Sequence, residues 1–104
     1  DDHFRNHGFL LTEKGWTLSP AYDMNPTLSE YQSLLVSLTS NKAELSILLD
    51  ACEDYMLNRK TAEKIISEVI EAVKGWRELA TRLSISKREA DMFAGVLDGR
   101  YKVE

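Results

Sequence analysis

Three side chains near the start of the chain have the types and spacing that phosphoryl transfer needs. Asp1 and Asn6 are separated by four residues, and Asp23 follows after a short, mostly apolar stretch. In this chemistry one aspartate accepts the proton of the attacking hydroxyl, while an asparagine and a second aspartate hold metal against the nucleotide phosphates. We therefore interpret Asp1 as a candidate catalytic base, and Asn6 and Asp23 as candidate metal and nucleotide ligands.

The doubled aspartate at the start leaves the register of the base open. Asp2 is separated from Asn6 by three residues, whereas Asp1 has the four-residue spacing of a phosphotransfer loop. The spacing favours Asp1 over Asp2.

A β-hairpin is predicted between this first loop and Asp23. Residues 8–12 and 16–19 read as two short strands around a turn that contains Gly15, and Pro20 ends the second strand. Because antiparallel strands return the chain to where it began, we expect the hairpin to bring Asp23 beside Asn6.

The rest of the chain is predicted to be mostly helical. Residues 31–38 are too short to classify by periodicity, and we interpret them as a short strand. Asn41 is expected to cap a first helix, and Asn58 a second and longer one. The sequence SKRE at 86–89 is a capping box that predicts a third helix, ending near residues 98–99. The predicted fold class is mainly α with a small β-hairpin.

The two longer helices each carry a predicted apolar face. In the second helix these residues are Ala62, Ile65, Ile66, Val69, Ile70, Val73, Trp76, Leu79, Ala80 and Leu83. In the third they are Ala90, Met92, Phe93, Val96 and Leu97. Glycine disfavours helix, so Gly75 inside the second stripe is expected to mark a bend or a close helix contact.

These segments together resemble a known family. The stretches DDHFRN, HGFLL and GWTLSPAYDMNP, within residues 1–26, resemble the C-terminal catalytic region of HipA-like serine/threonine kinases. Those kinases are the toxins of bacterial toxin-antitoxin pairs. The helical sequence EVIEAVKGWRELA at 68–80 is similar to the family's closing helices. The resemblance implies part of the C-terminal, mostly helical lobe of a protein kinase-like fold.

The resemblance implies roles for the matched positions. Asp1 would be the base, Asn6 and Asp23 would hold ATP and Mg²⁺, and His3 would contact the nucleotide where conventional kinases place a lysine. A protein substrate modified on Ser or Thr and a small DNA-binding antitoxin are the implied partners. Residues 24–25 are Met-Asn instead of Phe-Gly and no A-P-E-like segment follows, so neither motif gating nor a conventional docking loop is expected.

The length of the chain limits this interpretation. With 104 residues, 43% of them hydrophobic, the chain can bury one modest core, whereas a two-lobed kinase needs considerably more sequence. It has neither a glycine-rich phosphate loop nor a V-A-I-K-like lysine. We interpret 1–104 as a single domain or fragment, with the loop, hairpin and metal aspartate in 1–40, three helices in 41–98 and a tail in 99–104. Alone it is expected to be inactive.

Composition argues against several other classes of protein. A formal net charge of −4 disfavours direct binding of nucleic acid. No apolar run approaches the roughly 20 residues that span a bilayer, and Cys52 is the single cysteine, which excludes a disulfide within the chain. We expect a cytoplasmic protein without membrane or direct nucleic-acid contacts.

Two other interpretations stay open. In the first, the chain is a non-catalytic helical protein-interaction module whose apolar faces bind a partner chain. In the second, residues 84–86 are the turn of a DNA-binding helix-turn-helix and 86–97 its recognition helix. Only Lys87 and Arg88 favour phosphate near the start of that helix, and its acidic residues oppose it.

Overall fold

The computed structural model of the chain describes residues 3–99. Its regular elements are strands β1 (Phe9–Thr12) and β2 (Gly15–Leu18) and helices α1 (Leu45–Asp50), α2 (Arg59–Val73), α3 (Trp76–Arg82) and α4 (Lys87–Leu97). Single 3-10 turns occupy Phe4–Asn6 and Cys52–Tyr55. Close to half of the chain is helical, and the predicted combination of helices with a small hairpin is observed.

The hairpin forms where the sequence predicts it. β1 and β2 are antiparallel, and the facing pairs include Phe9 with Leu18 and Leu11 with Trp16. Gly15 in the turn has a φ of 107°, a backbone conformation that residues other than glycine rarely adopt. The two strands therefore return the chain to the 3-10 turn that precedes them.

The strand predicted at residues 31–38 is wrong. The segment is irregular, and Tyr31 makes only an isolated antiparallel bridge to Lys42. Two consecutive backbone N–H groups, at positions 36 and 37, donate to the carbonyl of Ser40 at 2.7 and 3.0 Å. Because the chain reverses at this turn, the apolar run cannot extend along a neighbouring strand.

Two of the three predicted helix caps are confirmed. The side chain of Asn58 accepts the N–H of Thr61 at 2.8 Å at the start of α2. Ser86 accepts the N–H of Glu89 at 3.2 Å at the start of α4, and its hydroxyl donates to the Glu89 carboxylate.

The cap predicted at Asn41 is wrong. Helix α1 begins at Leu45, and the preceding Glu44 is extended and makes no side-chain cap. The amide of Asn41 donates instead to the carbonyl of Gln32 at 2.8 Å, which fixes the irregular segment. The asparagine is used across a loop because the backbone that follows it is not yet helical.

The predicted second helix is interrupted at Gly75. Helix α2 ends at Val73 and α3 begins at Trp76, so the bend expected at this glycine is confirmed. Among the described residues, no atom outside its own helical surroundings lies within 4 Å of the place where a Cβ would stand at Gly75. The alternative of a close helix contact is therefore wrong, and the interruption reflects backbone freedom.

The core is small and lies where α1, the second 3-10 turn and α2 meet. Leu49, Cys52 and Ala62 are buried there, and Leu57 and Ile66 pack against them. The apolar faces predicted for the helices are only partly buried. Met92, predicted to point inward, is 55% exposed.

One face of the hairpin is apolar and exposed. Successive side chains of a strand alternate between faces, so the register places Phe9, Leu11, Trp16 and Leu18 together. They are between 60% and 72% exposed. The total accessible surface is 8475 Å², against about 6,000 Å² for a compact protein of this mass. An exposed apolar face of this kind is typical of proteins that pack against another segment or chain.

None of the helices within residues 3–99 has the length and hydrophobicity needed to span a membrane.

The cap of α2 gives a stability prediction. Asn58→Ala removes the side-chain acceptor of the Thr61 N–H, and we expect a loss of about 1 kcal/mol in the free energy of unfolding. Asn58→Ser keeps an accepting oxygen and should recover most of that loss. The measurement is urea denaturation followed by circular dichroism. Ser67→Ala, an exposed change inside the same helix, is the control. Equal stability of Asn58→Ala and the wild type would contradict the assignment.

Candidate functional site

The 3-10 turn that precedes the hairpin orients Asn6. The N–H of Asn6 donates to the carbonyl of His3 at 2.9 Å. The N–H of His3 in turn donates to Oδ1 of the Asn6 side chain at 3.3 Å. The amide nitrogen Nδ2 is thereby left pointing away from the turn and towards the segment that follows the hairpin.

That segment is tied to the turn by Tyr22. The Tyr22 hydroxyl donates to the carbonyl of Arg5 at 2.9 Å. The strand pairing also continues past β2, since the N–H of Ser19 donates to the carbonyl of Gly8 at 2.8 Å. These two bonds bring the residue after Tyr22 directly beside the 3-10 turn.

Asp23 meets Asn6 as the hairpin predicts. Asn6 Nδ2 donates to Asp23 Oδ2 at 2.8 Å, and Asn25 Nδ2 donates to Asp23 Oδ1, also at 2.8 Å. The backbone of Asp23 has a φ of 55°, in the left-handed region that residues other than glycine rarely adopt. Both carboxylate oxygens are therefore held, and the backbone is strained to place them.

Asp1, Asp2 and His3 were also predicted as site residues. Asp1 and Asp2 lie outside the described residues, so the choice between them as base stays a prediction. His3 is half-buried at the start of the 3-10 turn, and its Nδ1 is buried without a hydrogen-bond partner in the described part of the chain. A buried ring nitrogen without a hydrogen-bond partner is unusual in a folded protein. It indicates a position where a polar partner is missing.

Asn6 and Asp23 lie in an open cleft of about 730 Å³. Its lining is mostly apolar, and none of its lining residues is a lysine or an arginine. They are Asn6, His7, Leu18, Ser19, Pro20, Ala21, Tyr22, Asp23, Met24, Asn25, Pro26, Thr27, Gln32, Ala43, Val96 and Leu97. The cleft therefore offers one carboxylate and several neutral polar groups, with no positive side chain to meet an anion.

The nearest lysine in sequence to this lining is already engaged. Lys42 precedes the cleft residue Ala43, and its ammonium lies 2.6 Å from the Glu44 carboxylate. The hydrogen bond and the charge of Glu44 raise the pKa of Lys42. The lysine therefore stays protonated, and its charge is directed to Glu44.

Most of the chain matches the model of one known family. A family model described as the HipA-like C-terminal domain matches residues 1–76. The chain belongs to this HipA-like family. No curated protein matches the chain, and no solved structure does.

The family match covers only part of what forms the cleft. It includes the HipA-like turn, hairpin and Asp23, and it ends at Trp76, the first residue of α3. Helix α4 lies beyond it, yet Val96 and Leu97 at the end of that helix line the cleft. These two residues were predicted from the sequence only as core. No local pattern shows which cavity a helix face meets.

The pair of side chains in the HipA-like domain lies close enough for both to contact one cation. Asn6 Nδ2 and Asp23 Oδ2 are joined by a hydrogen bond of 2.8 Å, and oxygen ligands of one Mg²⁺ lie about 3 Å apart, because each bond is near 2.1 Å. To offer a cation its amide oxygen, Asn6 would have to exchange this bond and the bond from the His3 N–H for the cation. Within residues 3–99, no group of three His, Cys, Asp or Glu could hold a metal. A cation here would take its remaining ligands from water or phosphate.

The strained backbone of Asp23 leads to a second prediction. Asp23→Gly and Asp23→Ala both remove the carboxylate, but only glycine adopts a φ of 55° without strain. We expect the glycine variant to be the more stable of the two by about 0.5 to 1 kcal/mol, measured from urea-unfolding midpoints.

A matched pair at another aspartate provides the control. Asp54 lies in the 3-10 turn Cys52–Tyr55 and is not among the residues with positive φ. There the order should reverse, with Asp54→Ala more stable than Asp54→Gly. If Asp23→Ala were as stable as Asp23→Gly or more so, Asp23 would carry no conformational strain.

Proposed function

We propose that the chain is the C-terminal part of a HipA-like Ser/Thr protein kinase. In this proposal the protein transfers the γ-phosphoryl of Mg-ATP to a hydroxyl group of a protein, and acts in the cytoplasm as the toxin of a toxin-antitoxin pair. The observation that carries it is the hydrogen bond of 2.8 Å between Asn6 and Asp23 in a HipA-like domain. These are the two residue types, in the chain order, that phosphoryl transfer uses to hold its cation.

The chemistry of the donor set fits Mg²⁺. This ion prefers oxygen ligands, keeps several waters, and is usually held by one or two protein carboxylates together with substrate phosphates. Asp23 supplies the carboxylate and Asn6 an amide oxygen. When bound, Mg-ATP supplies the transferable phosphoryl group, with its charge partly neutralised by the ion. The chain's part is to hold and orient, because positioning and electrostatics dominate such catalysis.

The remaining roles follow from the same arrangement. Asp1 would accept the proton of the attacking hydroxyl, with Asp2 as the alternative. His3 would contact the nucleotide, and its buried, unpartnered Nδ1 supports a polar group arriving nearby. All three of these residues directly precede the 3-10 turn Phe4–Asn6 in the chain.

The charge of the cleft supports the prediction that the chain alone is inactive. No lysine or arginine lines it, so the triphosphate would meet positive charge only through the cation. Phosphate sites in proteins normally add lysine, arginine or a series of backbone N–H groups. We infer that these groups come from another part of the complete protein, and that the isolated chain binds ATP weakly or not at all.

The proposal includes two protein partners. One is the substrate that carries the Ser or Thr, and the other is a small DNA-binding antitoxin, which would contact nucleic acid in place of the kinase. The exposed arginine Arg77 does not favour direct DNA contact by the last two helices. It pairs with Asp91 at 3.2 Å and lies 3.6 Å from Asp98.

A non-catalytic interaction module is the second candidate. The apolar hairpin face supports it, because Phe9, Leu11, Trp16 and Leu18 are exposed on one side. In this case Asn6 and Asp23 would only close the hairpin. The two candidates differ in whether removing the Asp23 charge abolishes a reaction or merely loosens a loop.

Activity of the complete protein separates the candidates. We expect label from γ-labelled ATP to reach protein in the presence of Mg²⁺. Asp23→Asn and Asn6→Ala should each lower the rate at least about 100-fold, since each removes a preorganised contact to the charged phosphates. Asp1→Ala and Asp2→Ala, compared in the same assay, show which aspartate is the base.

The control is Asp54→Asn, an exposed aspartate outside the cleft lining. It should label as the wild type does, and circular dichroism should show that every variant is folded. Wild-type protein that neither transfers label nor binds Mg-ATP would exclude the kinase and favour the interaction module. An Asp23→Asn variant with full activity would exclude the assigned cation ligand.

A further inference from the structure

Helix α4 completes the cleft in which Asn6 and Asp23 lie. Val96 and Leu97, both half-buried, stand at the C-terminal end of this helix and form part of the lining. Pro26, three residues after Asp23, lines the same cleft. One wall of the candidate site is therefore apolar; Val96 and Leu97 in it lie outside the matched family region, and Pro26 lies within it.

The apolar surface continues beyond this wall. A second cavity of about 490 Å³ shares Pro26 and Leu97 with the cleft and extends along α3 and α4 past Trp76 and Phe93. None of its lining residues is a lysine or an arginine, and Glu89 is its one charged residue. We call these two cavities, which adjoin at Pro26 and Leu97, the groove; the cavity along α3 and α4 has fewer polar lining residues than the cleft that holds Asn6 and Asp23.

The end of α4 is fixed in place by polar contacts to α3. Trp76 Nε1 donates to Asp98 Oδ1 at 2.7 Å, and Arg77 Nε lies 3.6 Å from Asp98 Oδ2. Arg77 also bonds to Asp91 at 3.2 Å and lies 4.8 Å from the centre of the Trp76 ring. Because Asp98 directly follows Leu97, these contacts fix where Leu97 stands in the cleft.

The charge of the groove decides between its possible occupants. The proposed Mg-ATP would be held at the Asn6–Asp23 pair through its cation. A triphosphate carries several negative charges, and the part of the groove along α4 offers it one carboxylate, Glu89, and neither lysine nor arginine. An extended peptide with apolar side chains is neutral along its length, and it would bury those side chains against Leu97, Pro26 and Phe93. Apolar burial stabilises by about 25 cal/mol per Å², whereas an acidic side chain would meet Asp23 at one end and Glu89 at the other.

We propose that Val96 and Leu97 select the protein substrate by holding an apolar side chain close in sequence to the acceptor Ser or Thr. The inference rests on the proposed kinase function and adds to it a class of substrate sequence. Asp98 is a positioning residue in this arrangement, because it acts through the placement of Leu97. Trp76 both donates to Asp98 and lines the second cavity. Acceptor hydroxyls flanked by acidic residues are disfavoured.

The test compares two peptide substrates of the complete protein. They are identical except for leucine or glutamate at the positions flanking one serine. We expect the wild type to prefer the leucine peptide. Leu97→Ala should raise KM for that peptide about tenfold and leave kcat nearly unchanged, since it removes contacts made before the reaction. Leu97→Lys should move the preference towards the glutamate peptide, a change that general destabilisation does not produce.

The controls separate substrate selection from folding. Leu83→Ala truncates a leucine that is 64% exposed at the end of α3 and lines neither cavity, and it should leave both KM values unchanged. Trp76→Phe keeps an aromatic side chain, though a smaller one, and removes the donor to Asp98; it should raise KM for the leucine peptide alone. Chemical-shift mapping of the leucine peptide on the labelled wild type gives a readout without mutation, with shifts expected at Val96 and Leu97.

Each outcome is decisive for one of the two proposals. If the wild type labels both peptides equally, or if Leu97→Ala and Leu97→Lys keep the wild-type preference, the inference about substrate selection is overturned and the kinase proposal stands. If the wild type labels no protein or peptide with Mg-ATP, the kinase proposal fails and the inference fails with it.

Discussion

The hydrogen bond between Asn6 and Asp23 is the contact on which the arrangement of the site depends. It joins residues 17 positions apart, and they meet because β1 and β2 are antiparallel and return the chain to its starting turn. A two-stranded hairpin is only marginally stable by itself in water. The bond from Tyr22 to the Arg5 carbonyl therefore closes the same loop from the other side. The hairpin and the site therefore depend on each other. The strand pairing brings Asn6 and Asp23 together, and the bonds of Asp23 and Tyr22 hold the two ends of the hairpin together.

The hairpin is also the part of the chain with the least support from a core. The buried cluster of Leu49, Cys52 and Ala62 lies among the helices, while the apolar hairpin face is open. A site built on such an element is held by a few exposed hydrogen bonds, each contributing about 0.5 to 1.5 kcal/mol. Covering the face with another protein segment would add apolar burial to the element that carries Asp23. The geometry of Asn6 and Asp23 is thus coupled to whatever packs on that face.

Local sequence signals predicted the local structure and failed where tertiary contacts decide. The hairpin and the caps at Asn58 and Ser86 depend on residues within a few positions, and all were predicted. The strand at 31–38 and the cap at Asn41 failed together, because Asn41 bonds across the loop to Gln32 and the chain reverses before it can pair. The meeting of Asn6 with Asp23 was predictable, since a hairpin fixes it. The approach of Leu97 to the same cleft was not, because it depends on how α3 and α4 pack.

The charge of the cleft constrains how ligands would bind in the proposed kinase. Asp23 alone is a weak site for Mg²⁺, which keeps most of its waters unless phosphate oxygens join the carboxylate. A triphosphate alone would face the Asp23 carboxylate with no lysine or arginine in the lining. Each ligand therefore improves the affinity of the site for the other, and this coupling is reciprocal by thermodynamic necessity. The amides of Asn6 and Asn25 donate to the two carboxylate oxygens of Asp23. Those two bonds orient the carboxylate on which the proposed binding of the cation depends.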